Sequence, residues 1–197
     1  MMGNEFGDLK GGYNIIYADP PWDYENDQCG APTRGGITYP TMPIDDICSL
    51  PVGDIAHDNC ALFLWATWPK LKQALQVIDA WGFDYRTCAF DWVKTYQNGT
   101  SYCGLGHWTR LGTEPCLFAR RGKIKRYNKN VYQQVFAPIG KHSQKPPEVR
   151  DKIINLCGDL PRVELFARQR VDGWDCWGNE LDGTILPRHV SGQMSFI

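Results

Sequence analysis

Four consecutive residues near the start of the chain, Asp19, Pro20, Pro21 and Trp22, could together hold a planar amine. Proline has a fixed φ and no N–H, so the pair makes the backbone rigid and leaves carbonyls for which the sequence offers no local partner. The carboxylate and a rigid carbonyl can each accept one hydrogen of an exocyclic amino group. The tryptophan can stack on the ring, a contact worth about 1–3 kcal/mol. These two hydrogen bonds make the nitrogen lone pair less conjugated with the ring, so the amine becomes more nucleophilic. The alternative is a rigid turn whose tryptophan fills the core.

The motif follows an apolar run over residues 13–18 that predicts a buried strand. A similar run over residues 162–168 predicts a second buried strand, which ends at Arg168. Ligands in open α/β sheets bind beyond the carboxyl ends of the strands. We therefore expect chemistry where Asp19 and Arg168 lie.

The remaining elements alternate between the strand and helix periods. Residues 60–67 are apolar on both faces, as in a covered parallel strand. Proline near the start and glycine after the end bound two predicted helices, over residues 69–81 and 146–157. Further strands are predicted over residues 85–95 and 114–121, and a last short strand or turn within residues 173–180. This alternation predicts an α/β fold with a mostly parallel central sheet flanked by helices.

Composition favours one compact domain over residues 1–197, with 43% hydrophobic and 13% aromatic residues. No apolar run approaches the length of a membrane span, and the first ten residues lack the apolar segment of a signal peptide, so we expect a cytoplasmic protein without membrane contact. None of the eight cysteines forms a Cys-x-x-Cys pair, and we predict no metal site.

Positive charge is concentrated in one segment. Ten of the 21 Lys and Arg but two of the 22 Asp and Glu lie between Arg120 and Lys152. Local positive charge of this kind often marks a surface that meets phosphate, although an ordinary solvated loop is an equal alternative. The residues that we assign to phosphate contact are Arg120, Arg121, Lys123, Lys125 and Arg126. Tyr127 and Tyr132 could stack on bases or pack in the core.

An ordered series of motifs covers residues 13–183 and resembles the MT-A family of adenine-N6 methyltransferases. The motifs are ADPPW, YPTM, ALFLWAT, GHWTRLGTEPCL, HSQKPPEV and VELFAR followed by GWDCWGNE. The resemblance implies a Rossmann-like methyltransferase fold in a permuted order, with the catalytic motif before the main cofactor strand. It also implies S-adenosylmethionine as the methyl donor.

By this resemblance, Asp19 and the Pro20 carbonyl hold the target amino group, and Trp22 or a neighbouring aromatic residue stacks on the adenine. Transfer to the nitrogen is then direct and in line, without a metal ion or a covalent enzyme intermediate. Asp8 is the candidate for an upstream acidic cofactor contact. Gln169 and Arg170 depart from eukaryotic relatives, which carry histidine after the FAR sequence. The cofactor-binding residues that the resemblance implies are Asp19, Lys145, Phe166, Arg168, Asn179 and Glu180.

The segments 25–38 and 97–113 flank the pocket in this family, and their glycines would permit closure over a substrate. Within the second segment, His107, Trp108 and Arg110 are candidate nucleic-acid contacts. We favour DNA as the substrate, with RNA as the alternative. A duplex substrate would require the base to be flipped out.

Two other functions are weighed against this one. A catalytically inactive binding subunit is disfavoured by the intact Asp19, Lys145 and Asn179. A nicotinamide-dependent oxidoreductase is set aside because its Gly-x-Gly-x-x-Gly loop is missing. Members of this family often pair, so a homodimer is compatible with the resemblance.

Overall fold

The computed structural model describes the chain over residues 5–7, 9–23, 41–104, 106, 108–140 and 144–181. The strands are β1 (Tyr13–Ala18), β2 (Ala56–Trp65), β3 (Asp84–Thr95), β4 (Thr113–Arg121), β5 (Gln134–Pro138), β6 (Arg162–Leu165) and β7 (Asp175–Trp177). The helices are α1 (Ile44–Ser49), α2 (Val52–Ile55), α3 (Leu71–Ala80) and α4 (Glu148–Cys157), and a 3₁₀ turn (Trp68–Lys70) precedes α3.

The described strands form one seven-stranded sheet in the order β5-β3-β4-β2-β1-β6-β7. Strand β4 is antiparallel to both of its neighbours, β2 and β3, and the other four pairings are parallel. Six strands therefore run in one direction and β4 runs against them. The expected α/β fold with a mostly parallel sheet is confirmed.

Helices cover both faces of the sheet, as the doubly apolar central strands require. Alternate residues of β1 point to opposite sides: Ile16 and Ala18 join the cluster that packs against α1 and α3, whereas Ile15 and Tyr17 join the cluster that packs against α4. Strand β2 alternates in the same way. The helices of the described part of the chain are too short and too polar to span a bilayer.

The strand and helix ends follow local backbone chemistry. Helix α3 follows the turn whose first residues are Trp68 and Pro69, and Gly82 with φ 79° accompanies its end. Helix α4 begins after Pro146 and Pro147, and Gly158 with φ 89° terminates it. These bounds lie within two residues of those predicted.

Several elements differ from the sequence-based expectation. Helices α1 and α2 were not predicted, and β2 begins four residues earlier and ends two residues earlier than the predicted run over residues 60–67. Strand β6 ends at Leu165 rather than at residue 168, because Phe166 adopts a left-handed φ of 60°, which a strand cannot continue through. Strand β5 was not predicted. It is a short edge strand within the basic segment, and its burial alternates residue by residue.

Candidate active site

A pocket of about 200 Å³ opens at the edge of the sheet where β1, β2 and β6 end. We call this the upper edge, and the edge where these three strands begin the lower edge. The register aligns Ala18 with Leu64 of β2 and Leu165 of β6, so the residues that follow these strands meet there. The predicted residues that line the pocket are Asp19, Pro20, Pro21, Trp22, Lys145, Phe166, Arg168, Asn179 and Glu180. The structure thus brings together the catalytic motif and all predicted cofactor residues.

A chain of four alternating charges crosses the floor of this pocket. The Lys145 ammonium lies 2.8 Å from Asp19 Oδ1 and 3.0 Å from Glu114 Oε1. Glu114 Oε2 lies 2.7 Å from the Lys94 ammonium. Lys145 and Glu114 are nearly buried, with 9% and 8% of their side-chain surfaces exposed, whereas Asp19 keeps 22% exposed. Lys145 and Glu114, the two inner members, therefore link the four charges, and the Asp19 carboxylate is exposed to the pocket.

Burial and the neighbouring charges shift the pKa values of Asp19, Lys145 and Glu114. Burial raises the pKa of Asp19, and Lys145 opposes this. Burial lowers the pKa of Lys145, but Asp19 and Glu114 outweigh it and leave that pKa above its usual value. Burial likewise raises the pKa of Glu114, but Lys145 and Lys94 outweigh it and leave that pKa below its usual value. Lys145 therefore stays a fixed cation beside Asp19.

Trp22 is held as a core residue rather than as a free stacking platform. Only 5% of its surface is exposed, and its indole N–H donates to the Trp65 carbonyl at 3.1 Å. The expectation that the proline carbonyls have no local partner is wrong for Pro20, whose carbonyl accepts the N–H of nearby Trp22 at 2.9 Å. The Pro21 carbonyl accepts the N–H of Met42, which is distant in the sequence, also at 2.9 Å. A carbonyl oxygen has two lone pairs, so Pro20 can still accept a second hydrogen from a ligand.

The opposite wall of the pocket depends on a close approach of two backbones. After β6, the Ala167 N–H donates to the Trp177 carbonyl at 2.9 Å. A Cβ at Gly178 would lie 2.1 Å from the Ala167 carbonyl oxygen, which only glycine avoids. This contact brings Asn179 and Glu180 to the pocket. The Phe166 ring packs edge-on against Trp177, with centroids 5.4 Å apart.

The MT-A70 family profile matches residues 13–180. The chain belongs to the MT-A70 family.

Three relatives show the range of this family. A Type II methyltransferase, M.MunI, of a Mycoplasma species is 36% identical over 92% of this chain and 83% of its own length. The N(6)-adenosine-methyltransferase subunit METTL3 of Danio rerio is 30% identical over 90% of this chain but only 30% of its own length. The human N(6)-adenine-specific methyltransferase METTL4 is 27% identical over 86% of this chain and 37% of its own length. The chain thus spans most of the first relative and about a third of the other two.

The loop between β3 and β4 belongs to the upper edge of this MT-A70 domain. Strand β3 ends there and β4 begins there, so Lys94 and Glu114 enter the pocket from the two stems of the loop. On the loop, Trp108 is 98% exposed and Arg110 is also exposed, as a substrate contact requires. His107, Asp8 and the whole segment 25–38 lie outside the described residues.

The residues assigned to phosphate contact, which we call the basic run (residues 120–126), do not line the pocket. Arg121 of β4 pairs with Cys60 near the lower edge, because β4 runs against its neighbours. Arg121 donates to the Gly53 carbonyl at 2.8 Å, and Arg120 is half-buried. The predicted phosphate contact of these residues stays a prediction, and it would lie away from the pocket. Tyr127 and Tyr132 are each 81% exposed, so the alternative that they pack in the core is wrong.

Sequence reasoning missed Glu114 and Lys94, the two members of the charge chain that follow Lys145. One signal could have found them: each is a charged residue in an otherwise apolar strand, WVKT and EPCLFA, on either side of one loop. Two buried charges of opposite sign in strands joined by a hairpin are expected to pair.

Proposed function

We propose that this protein transfers a methyl group from S-adenosylmethionine to the N6 amino group of adenine in a nucleic acid. The observation that supports it best is the position of Asp19, a partly exposed carboxyl group that Lys145 fixes at the pocket wall. Family membership supports the same reaction, because the names of METTL3 and METTL4 describe N(6)-adenosine and N(6)-adenine methyltransferases. The residues 1–197 would form one methyltransferase domain.

The side chains that line the pocket are chemically suited to the groups of S-adenosylmethionine. Lys145 and Arg168 offer cations to a carboxylate, and Asp19 and Glu180 can accept hydrogen bonds from an ammonium group or ribose hydroxyls. Phe166 offers an apolar ring to an adenine. Arg168 and Glu180 lie 3.7 Å apart and restrain each other. When bound, S-adenosylmethionine supplies an electrophilic methyl group on a sulfonium, open to in-line attack by the amino nitrogen.

The protein contributes position and electrostatics. Asp19 and the second lone pair of the Pro20 carbonyl accept the two hydrogens of the amino group, which directs its nitrogen lone pair out of the ring plane. Lys145 keeps Asp19 in place, since its ammonium lies 2.8 and 2.9 Å from the two carboxylate oxygens. No large movement of charged groups is then needed during transfer.

The substrate would reach this pocket across the β3–β4 loop. Trp108 can stack on a base and Arg110 can pair with a phosphate, since both side chains are exposed. We favour DNA over RNA because M.MunI, a Type II methyltransferase, is more similar to this chain than the adenosine methyltransferases are. A homodimer is compatible with this proposal.

The decisive experiment incubates the protein with labelled S-adenosylmethionine and, separately, duplex DNA, single-stranded DNA and RNA. Digestion to nucleosides should reveal N6-methyladenine, with DNA preferred. Asp19→Ala should lower the rate at least about a hundredfold, as loss of one preorganised polar group commonly does, while binding of S-adenosylmethionine stays measurable by calorimetry. Asp159→Ala removes an exposed carboxylate at the lower edge and serves as the matched control. Equal activity of the Asp19→Ala and Asp159→Ala proteins would refute the role of Asp19.

A further inference from the structure

A second cavity lies at the lower edge of the sheet, away from the pocket. It is a groove of about 360 Å³, which we call the basic groove, lined by Asn14, Asn59, Lys123, Ile124, Lys125, Arg126, Tyr127, Cys157 and Leu160. Asn14 lies near the start of β1 and Asp19 directly follows its end. These two residues are five positions apart, which corresponds to about 17 Å in an extended strand. The two cavities therefore open on opposite edges of one sheet.

The charges of this groove are available to a ligand. Within the described residues, Lys123, Lys125 and Arg126 form no ion pair with an acidic side chain. Lys125 and Arg126 are exposed. The nearby Asp159 is already paired, since its carboxylate lies 2.6 Å from the Arg162 guanidinium. Three cations thus line one groove beside apolar Ile124 and Leu160.

An aromatic ring stands at the same groove on a fixed backbone. The Tyr127 N–H donates to the Leu156 carbonyl at 2.8 Å, which ties the residue to the end of α4. The base of its side chain lies beside Gly158, since a Cβ added at that glycine would be 3.6–3.7 Å from Tyr127 Cβ, Cγ and Cδ2, while 81% of the residue stays exposed. A ring that is anchored at its base and exposed at its face can stack on a base with little loss of side-chain entropy.

The turn that carries the cations is also fixed. Asn59 Oδ1 accepts the Lys123 N–H at 2.7 Å. A Cβ at Gly122 would lie 2.1 Å from the Asp58 carbonyl oxygen, and its φ of 65° favours glycine, so the turn packs directly on the start of β2. The Asn14 amide in turn donates to the Asn59 carbonyl at 2.9 Å. The groove is therefore formed before any ligand arrives.

We propose that the basic groove binds a single-stranded polynucleotide, at a site separate from the pocket that would hold the target adenine. Cations that line an apolar groove with an exposed aromatic ring are the combination that single strands require, because phosphates meet the charges while a base stacks. A duplex keeps its bases stacked and cannot present one to Tyr127 without unpairing it. The site would hold a flanking part of a substrate chain, or a second chain, at the far edge of the domain.

Fluorescence anisotropy with labelled oligothymidylate of thirty nucleotides tests this, because that oligomer contains no adenine and needs no methyl donor. The wild-type protein should bind it, and Lys125→Ala/Arg126→Ala should weaken binding at least about tenfold. The same variant should reduce the slope of log affinity against log salt by about 1.4, the value for two phosphate contacts on a single strand. Gln76→Glu/Ala80→Glu changes the net charge by the same two units on exposed positions of α3 and should have little effect.

The stacking contact has its own test. Tyr127→Ala should weaken binding of the oligomer by roughly 5- to 150-fold, the range for a stacked base, whereas Tyr127→Phe should retain it. Binding of a duplex of equal length should respond to the charge variant but not to Tyr127→Ala. Circular dichroism should show all variants folded.

The possible results separate this proposal from the proposed reaction. Oligothymidylate binding that persists in Asp19→Ala but not in the groove variants supports the groove, whether or not methylation is found. No binding by the wild-type protein, or equal affinities for the groove variants and the α3 control, would overturn it. A groove variant that changes the oligomeric state instead, as seen by light scattering, would overturn it in favour of contact with a second copy.

Discussion

Replacing Glu114 by glutamine removes one charge from the middle of the charge chain and leaves the shape of the side chain nearly unchanged. Glu114 lies 3.0 Å from Lys145 and 2.7 Å from Lys94, and 6% of the residue is exposed. At an effective dielectric constant of about 20, charges about 3 Å apart attract each other by roughly 5 kcal/mol. Desolvation offsets much of this, but breaking a buried pair by removal of one partner still costs about 3–5 kcal/mol. Lys94 can regain water, so we expect a loss of about 3 kcal/mol in the free energy of unfolding at pH 7.

The pH dependence of this loss distinguishes charge from shape. The pKa of Glu114 in the folded protein lies below its usual value of 4.5, so its stabilisation is present above that value and disappears as the pH falls through the folded-state pKa. The stability difference between wild type and Glu114→Gln should therefore shrink in acid. Urea denaturation followed by tryptophan fluorescence, between pH 7 and the lowest pH at which both proteins fold, measures it.

An exposed pair on the same hairpin provides the control. Asp84 and Arg86 lie 3.1 Å apart, but their side chains are 75% and 44% exposed. Asp84→Asn should change stability by less than about 1 kcal/mol, because exposed pairs contribute little. Two results would refute this argument. One is that Glu114→Gln lowers the free energy of unfolding at pH 7 no more than Asp84→Asn does. The other is that the loss caused by Glu114→Gln does not change with pH.

Three further predictions concern the pocket walls. Trp22→Phe should lower the free energy of unfolding by about 1–3 kcal/mol, because the Trp65 carbonyl loses its hydrogen-bond donor. The methylation rate should change less than tenfold. A hundredfold loss of rate would instead support a role of Trp22 in stacking on the base. Gly178→Ala should disrupt the turn after β7, because the added methyl group would collide with the Ala167 carbonyl. Binding of S-adenosylmethionine, measured by calorimetry, should then be lost. An unchanged affinity would contradict this close approach. Because burial raises the pKa of Asp19, kcat/KM should fall on the acid side with an apparent pKa above 3.8, and a flat profile down to that pH in folded protein would contradict this.

Local signals were sufficient for the catalytic strand. The prediction over residues 13–18 matches β1, because a buried run that stops at a proline pair leaves little freedom for its end. The position of Asp19 at the upper edge then follows from the general rule for parallel sheets. The end of β6 could not be predicted in this way, since the left-handed Phe166 depends on its packing against Trp177.

The basic run shows what a charge count lacks. Composition identified Lys123, Lys125 and Arg126 but could not say at which edge they lie. The connection could have done so: β3 and β4 are joined without a helix, which favours an antiparallel pair. An antiparallel β4 begins at the pocket and carries its last residue, Arg121, to the lower edge.

The two proline pairs of the chain explain how the site holds a salt bridge in a fixed position. Asp19 precedes Pro20-Pro21 and Lys145 precedes Pro146-Pro147. A residue before proline is restricted to extended backbone, so both charged residues have little freedom of their own. The first segment is tied down by the Trp22 and Met42 N–H groups, and the second by the start of α4, where the proline carbonyls accept the Val149 and Arg150 N–H groups. Two rigid segments, 126 residues apart in sequence, thus meet across 2.8 Å, and the ordering entropy of the ion pair is lost when the chain folds rather than when the substrate binds.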